Sequence, residues 1–505
     1  MPDLDVITIG RSSVDLYGAQ VGGRLEDMAS FQKYIGGSPT NMAAGTARLG
    51  LKSAVITRVG DEHMGRFVRE QLQREGVCVD GVITDPERLT ALVILGIRDE
   101  EQFPLIFYRE NCADMALCED DIDPAFIERA QCVTATGTHL SHPKTAAAVI
   151  KSLELARQSG GKTALDIDYR PNLWGLAGHG DGEERFIESA AVTKKLQTTL
   201  HLFDLIVGTE EEFHIAGGST DTLEALSAVR ALSSATLVCK RGPMGAVAFD
   251  GDIPDALDKG LSGPGFPIEI FNVLGAGDGF MSGLLRGWLT GNDWPTTLTW
   301  ANACGALAVS RHGCAPAYPS WEELQWFLEN GSEHRALRKD EKLEHIHWAT
   351  NRRALPADIT IVDTPSSPSN LQDWLDRQDR HVGIIADWNC DREIFYQLVE
   401  TPVWLGRKVS SLDEDLSQWP VLHTAVCGMD DYALADIGRL FRNARRCGLE
   451  IALDLGADDS RSKLATALET GIFADWWIVE KTANRQDLLD LIKRHDPWCR
   501  GLLVN

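Results

Sequence analysis

Residues 271–280 read Phe-Asn-Val-Leu-Gly-Ala-Gly-Asp-Gly-Phe, and the residues after them have a helical pattern. Gly275, Ala276 and Gly277 would let backbone pass close to an anion, and the first N–H groups of a helix have no partner one turn back. With the helix dipole they make a place for phosphate or a developing oxyanion. Asp278 would repel that anion, so its presence makes sense if it takes a proton from a hydroxyl that attacks phosphorus. The chemistry suggested is phosphoryl transfer to an alcohol. A glycine-rich turn capped by Asp is the plain alternative.

A second glycine-rich segment, Gly36-Gly37-Ser38-Pro39-Thr40-Asn41, precedes another helical stretch. Gly37 permits close approach of a ligand, and Asn41 offers both a donor and an acceptor. Asp15 follows the first strand directly in this reading, where a carboxylate could accept hydrogen bonds from sugar hydroxyls or simply cap a turn. Lys240, Gly242 and Gly245 follow a strand and offer charge and pliable backbone to nucleotide phosphates. Asn302 and Gly313 lie where an adenine pocket could form. In Thr209-Glu210-Glu211-Glu212 a carboxylate could meet Mg²⁺ through water, or the segment is an acidic helix start. Lys162 ends a Walker-like Gly-Gly-Lys-Thr, but Ala156 stands where that pattern needs Gly, and the segment precedes a strand. The dinucleotide fingerprint also fails, since the glycines at 275, 277 and 279 do not have its spacing.

The elements that must position these residues follow from periodicity. Up to about residue 330, short apolar runs (Val6–Ile9, Ser53–Thr57, Cys132–Ala135, Thr163–Ile167, Leu205–Val207, Thr236–Cys239) alternate with amphipathic stretches. That rhythm predicts an α/β layered sheet with ligands at the carboxyl ends of its strands. Thr90–Arg98 and Phe103–Arg109 break the rhythm as a hairpin, which could be a lid, a dimer contact or an edge extension. The dimer contact leads to an expectation of a homo-oligomer. Residues 331–350 are polar and charge-mixed and read as a linker. Residues 351–505 resume βα alternation with seven candidate strands, one short of an eight-stranded barrel.

At 505 residues more than one domain is expected. The net charge of −25, from 74 acidic and 49 basic residues, excludes nucleic acid and anionic membrane as natural partners. The eleven cysteines form no CxxC pair, which suits reduced thiols in a cytoplasmic protein. No apolar run is long enough to span a bilayer, and the first residues do not read as a signal peptide.

Gly36 to Gly50 and Gly275-Ala276-Gly277-Asp278, in this order and at this separation, resemble the two signatures of the ribokinase-like (PfkB) carbohydrate kinases, over roughly residues 1–325. The resemblance implies a three-layer α/β sandwich with a β lid, ATP and Mg²⁺, and a sugar hydroxyl as acceptor; a monovalent cation such as K⁺ is left open. It implies Asp278 as base, Gly275, Ala276 and Gly277 as the anion hole, and Asp15, Gly37 and Asn41 as sugar ligands. Ser13–Tyr17, Ser30–Tyr34, Phe103–Arg109, Asp168–Pro171 and Ser310–Pro316 resemble the 5-dehydro-2-deoxygluconokinase branch of myo-inositol breakdown. That acceptor is an acid, and Lys33, Arg109 and Arg170 are the candidate cations for its carboxylate. Kinases for fructose or 2-keto-3-deoxygluconate, or a non-catalytic sugar- or nucleotide-responsive binder, are the alternatives. Thr209 stands where the family often has Asn, so Glu212 rather than Thr209 keeps the Mg²⁺ role. From His347 on, the chain resembles an aldolase-like barrel but lacks its Asp-His-Arg sequence at Ile361–Pro365 and its strand lysines. A Schiff-base aldolase needs a lysine in a pocket, so a shortened, non-catalytic module is expected there.

Overall fold

A computed structural model describes residues 2–99 and 102–350 and, beyond them, 359–362, 373, 377, 382–386, 404–416, 424–481 and 483–505. The described chain divides into two compact units, Met1–His347 and Trp348–Asn505.

The first unit is built on thirteen strands. They are β1 (Leu4–Ile9), β2 (Ser13–Gly18), β3 (Phe31–Gly36), β4 (Ser53–Gly60), β5 (Val82–Asp85), β6 (Ala91–Leu95), β7 (Leu105–Tyr108), β8 (Ala130–Thr136), β9 (Lys162–Asp166), β10 (Leu205–Thr209), β11 (Thr236–Lys240), β12 (Ala246–Phe249) and β13 (Leu261–Gly263). Nine of them form one sheet in the order β13-β12-β11-β10-β9-β8-β1-β4-β5. It is parallel from β11 to β5 and ends in antiparallel β12 and β13. Alternate residues of β1 go to opposite faces, as a two-residue period requires. Val6 packs with Met42, Phe280, Met281 and Leu284 on one side. Ile7 and Ile9 pack with Val149, Leu153 and Leu196 on the other. Buried on both faces, the central strands read as continuous apolar runs. The helix Ala276–Leu289 lies close on Trp294–Val309 because glycines recur every fourth residue: a Cβ on Gly283 would come within 2.8 Å of the Trp300 carbonyl oxygen, and one on Gly287 within 2.6 Å of Thr297 Oγ1.

The expected hairpin is present, with β6 antiparallel to β7. It belongs to a separate four-stranded sheet, β3-β2-β6-β7. Asp15 therefore lies within lid strand β2 and not at the end of β1, where the sequence had suggested it. The three residues Gly10-Arg11-Ser12 end one strand and let the chain enter the other sheet.

Residues 331–350, read as a linker, carry a helix, Glu341–Thr350, with Leu343 and Ile346 buried. Buried Arg311 explains the attachment: it meets Glu323 at 2.6 Å and Glu344 at 2.7 Å, and Glu323 also meets His347 at 2.7 Å. A buried guanidinium needs carboxylates around it, and these carry the first unit to His347.

All seven expected strands of the second unit are present: β14 (Ile359–Val362), β15 (Val382–Ala386), β16 (Trp404–Lys408), β17 (Thr424–Gly428), β18 (Glu450–Asp454), β19 (Trp476–Val479) and β20 (Gly501–Val504). They are parallel, and β20 pairs with β14, so the barrel closes with seven strands rather than stopping one short. Trp404, Trp476, Val426, Ala452 and Ile478 share one apolar cluster. Asp363-Thr364-Pro365 and Arg352-Arg353, on which part of the aldolase comparison rests, lie outside the described residues.

Candidate active site

A cleft of about 480 Å³ in the first unit collects residues from both sheets and from the helix that begins at Ala276. Its floor is the set of strand carboxyl ends around β1, β9, β10 and β11, where the order of an open α/β sheet leaves a crevice. Gly275 caps the helix in the left-handed region (φ 81°). A Cβ there would come within 2.8 Å of Tyr318 Oη and 2.9 Å of Cys314 Sγ, so only glycine serves. Gly275, Ala276, Gly277 and Asp278 all line the cleft, and the Ala276 N–H donates to the Val273 carbonyl at 3.2 Å.

Asp278 is held from the other glycine-rich segment. Ser38 Oγ donates to its Oδ1 at 2.5 Å and Asn41 Nδ2 to its Oδ2 at 2.9 Å. Burial and the nearby charge of Asp168 push its carboxyl up to about 6, against those two hydrogen bonds and the charge of Arg11. Gly36 and Gly37 are set by contact. A Cβ on Gly36 would lie 1.8 Å from Asp15 Oδ1, and one on Gly37 (φ 96°) would lie 2.4 Å from the Arg11 carbonyl oxygen. Asp15 accepts from Ser13 Oγ at 2.9 Å, and burial raises it to about 6 as well, with Arg11 opposing.

At the other end of the cleft, Lys240 Nζ lies 2.9 Å from Asp166 Oδ1 and 3.4 Å from Glu212 Oε2. Burial raises Asp166 while Lys240 opposes it, and the same carboxylates keep Lys240 charged. Glu212 and Thr209 form a capping box on the helix Glu210–Gly217: Thr209 N–H donates to Glu212 Oε2 at 2.7 Å, and Glu212 N–H donates to Thr209 Oγ1 at 3.2 Å. Tyr169 N–H reaches Glu212 Oε1 at 3.3 Å. Thr209 is thus a helix cap beside the cleft. Gly242, Gly245 and Asn302 line the same end, and Asn302 Nδ2 is buried without a partner.

Four of the sequence candidates for the acceptor side (Asp15, Gly37, Asn41 and Arg170) line the cleft; two others do not. Lys33 Nζ sits 3.9 Å over the Phe67 ring, and Arg109 is bound to Asp114 at 2.6 Å. Gly313 is also outside the cleft lining; its backbone (φ 90°) packs under the Tyr34 ring. Residues that sequence reasoning passed over are brought in: Arg11, Ser38, Asp166, Asp168 and Arg185. Asp168 holds a left-handed backbone (φ 36°), unusual for a residue with a side chain. Arg11 and Asp166 had one legible signal, a charged residue at the end of a buried strand.

The family described as "pfkB family carbohydrate kinase" matches residues 3–321. This chain belongs to that family of carbohydrate kinases. It is 32% identical over 343 residues to a Geobacillus kaustophilus 5-dehydro-2-deoxygluconokinase, covering 66% of this chain and 97% of that protein. A sugar kinase of Pyrococcus horikoshii, solved in complex with ATP, is 25% identical with a TM-score of 0.53, over 66% of this chain and 99% of that one. An E. coli protein solved with ATP and Mg²⁺ shares the fold at 22% identity and a TM-score of 0.57, over 65% of this chain and 99% of that one. Among the described residues no helix is long and apolar enough to cross a membrane, and every cysteine is free.

Proposed function

We propose that the chain transfers the γ-phosphoryl group of ATP to the terminal hydroxyl of 5-dehydro-2-deoxy-D-gluconate. One observation carries the reading: Asp278 stands in the first turn of a glycine-capped helix, with both carboxylate oxygens fixed by Ser38 and Asn41. As the acceptor oxygen bonds to phosphorus, its proton passes to Asp278; the bond from phosphorus to the bridging oxygen breaks, and its electron pair stays on ADP. The N–H groups of Gly277 and Asp278 would offset the charge on the transferred group, so positioning and electrostatics do most of the work. Asp15, Gly37 and Asn41 hold the acceptor; Lys240, Gly242, Gly245 and Asn302 hold the nucleotide. The named Geobacillus relative supports the choice of acceptor.

The residues fit Mg²⁺ carried on the nucleotide rather than in a protein cage. Glu212 has both oxygens engaged and would meet the ion through water, and no group of three His, Cys, Asp or Glu among the described residues could hold a metal. Bound there, Mg²⁺ would neutralise phosphate charge. Free thiols suit work in a reducing cytoplasm.

Asp278→Asn tests the reading. Turnover should fall by about 10²–10⁴-fold while ATP and acceptor still bind by calorimetry. Turnover near that of the unaltered enzyme would remove Asp278 from its role.

A further inference from the structure

We propose that Arg11 holds the carboxylate of the acceptor and thereby sets a preference for an acid over a neutral sugar. This rests on the kinase reading above. Arg11 follows β1 at the crevice, lines the cleft and is 8% exposed. Among the described residues its guanidinium makes no ion pair within 4.0 Å, and its Nε is buried without a hydrogen-bond partner. The Phe107 ring of the lid lies 5.6 Å from its Cζ, and the charges of Asp168 and Asp15 act on it from beyond ion-pair distance.

Four other cations near the cleft are engaged, and a fifth, Arg185, is exposed where Arg11 is buried. Lys240 is held by Asp166 and Glu212, Arg109 by Asp114, and Lys33 lies on Phe67. Arg170 has Asp168 at 3.6 Å. Arg185, lowered to about 9 chiefly by the charge of Arg170, lies on that same side, toward Asp168 and Glu212. Arg11 is the cation whose charge acts on both Asp15 and Asp278, the groups assigned to the acceptor.

A buried, unpaired guanidinium is unfavourable until an anion reaches it, and a planar fork matches a carboxylate. Arg11 lines the same cleft as Asp15, Gly37 and Asn41, the residues assigned to the acceptor. The lid strand that carries Phe107 covers the guanidinium.

The test compares full-length wild type, Arg11→Gln and Arg11→Lys, with 5-dehydro-2-deoxygluconate and its neutral carboxamide as acceptors. Loss of a charged hydrogen-bond partner should raise the KM for the acid in Arg11→Gln by about 10–100-fold. The KM values for carboxamide and ATP should stay within about threefold of wild type, and Arg11→Lys should fall between. Equal losses with acid and carboxamide, an unchanged KM for the acid, or a rise confined to ATP would overturn the assignment. Should Arg11→Gln be inactive with every acceptor, Arg11→Lys decides: an acid-to-amide preference equal to wild type overturns the proposal, and a reduced one upholds it. A wild-type enzyme that prefers the carboxamide would overturn the acid reading itself. A wild type that prefers the acid, with that preference intact in Arg11→Gln, would overturn Arg11 alone.

Discussion

At the scale of single residues, Asp278 combines two opposed demands. A base near neutral pH needs a raised carboxyl, and the burial that raises it to about 6 also penalises its ionised form in the folded protein. Unfolded, the same group titrates near its ordinary 3.8. Between those values the folded chain binds the extra proton, so this group's contribution to stability declines as pH rises from 4 to 6 and the penalty is complete above 6. Asp278→Asn should therefore be more stable than the unaltered protein at pH 7.5, by on the order of 2 kcal/mol, and should melt with it at pH 4. Thermal melts across that range measure the difference; a constant offset would contradict the assignment. Asp278 and Asn41 were legible because each stands in a glycine-rich segment, and Asp15 because it follows the first strand. Of the cations, Lys240 and Arg170 were legible and line the cleft, but Arg11 was passed over and Lys33 and Arg109 lie outside it. Arg11 offered only its charge just past a buried strand, and nothing near Lys33 or Arg109 in the sequence reveals Phe67 or Asp114 as its partner.

Among elements, the two glycine-rich segments act as one device. Gly36 ends lid strand β3 and supports the carboxylate of Asp15, Gly37 lies against Arg11, and the helix that follows sends Ser38 and Asn41 to Asp278. Gly36→Ala should displace Asp15, raising the acceptor KM at least about tenfold with a stability loss of about 2–3 kcal/mol. Gly160→Ala, at φ 79° with nothing within 4 Å, should cost only about 1 kcal/mol and leave KM unchanged. Acceptor kinetics and melts on both variants separate the effects; equal KM values would contradict this role for Gly36. The hairpin β6–β7 and the buried parallel strands were readable from alternation and apolar runs. Strands β2 and β3 were not, because their pairing partners lie in a sheet whose existence depends on β6, over fifty residues away. Thr209 looked like a departure from the family, yet its hydroxyl completes a helix cap.

For the molecule as a whole, the family match and the cleft both fall within the first unit. The βα rhythm gave all seven strands of the second unit, but closure depends on β20 meeting β14, a pairing between segments about 140 residues apart that no local pattern encodes. Its apolar cluster includes Trp404 and Trp476. In an acidic chain of net charge −25, four cations are gathered at one cleft: Arg11, Arg170, Arg185 and Lys240. The most direct measurement is ADP release by the full-length chain with ATP and Mg²⁺, over 5-dehydro-2-deoxygluconate, 2-keto-3-deoxygluconate and fructose. The result expected is a kcat/KM for 5-dehydro-2-deoxygluconate at least about tenfold above the other two; a higher value for fructose, or no ADP release with any acceptor, would contradict the account.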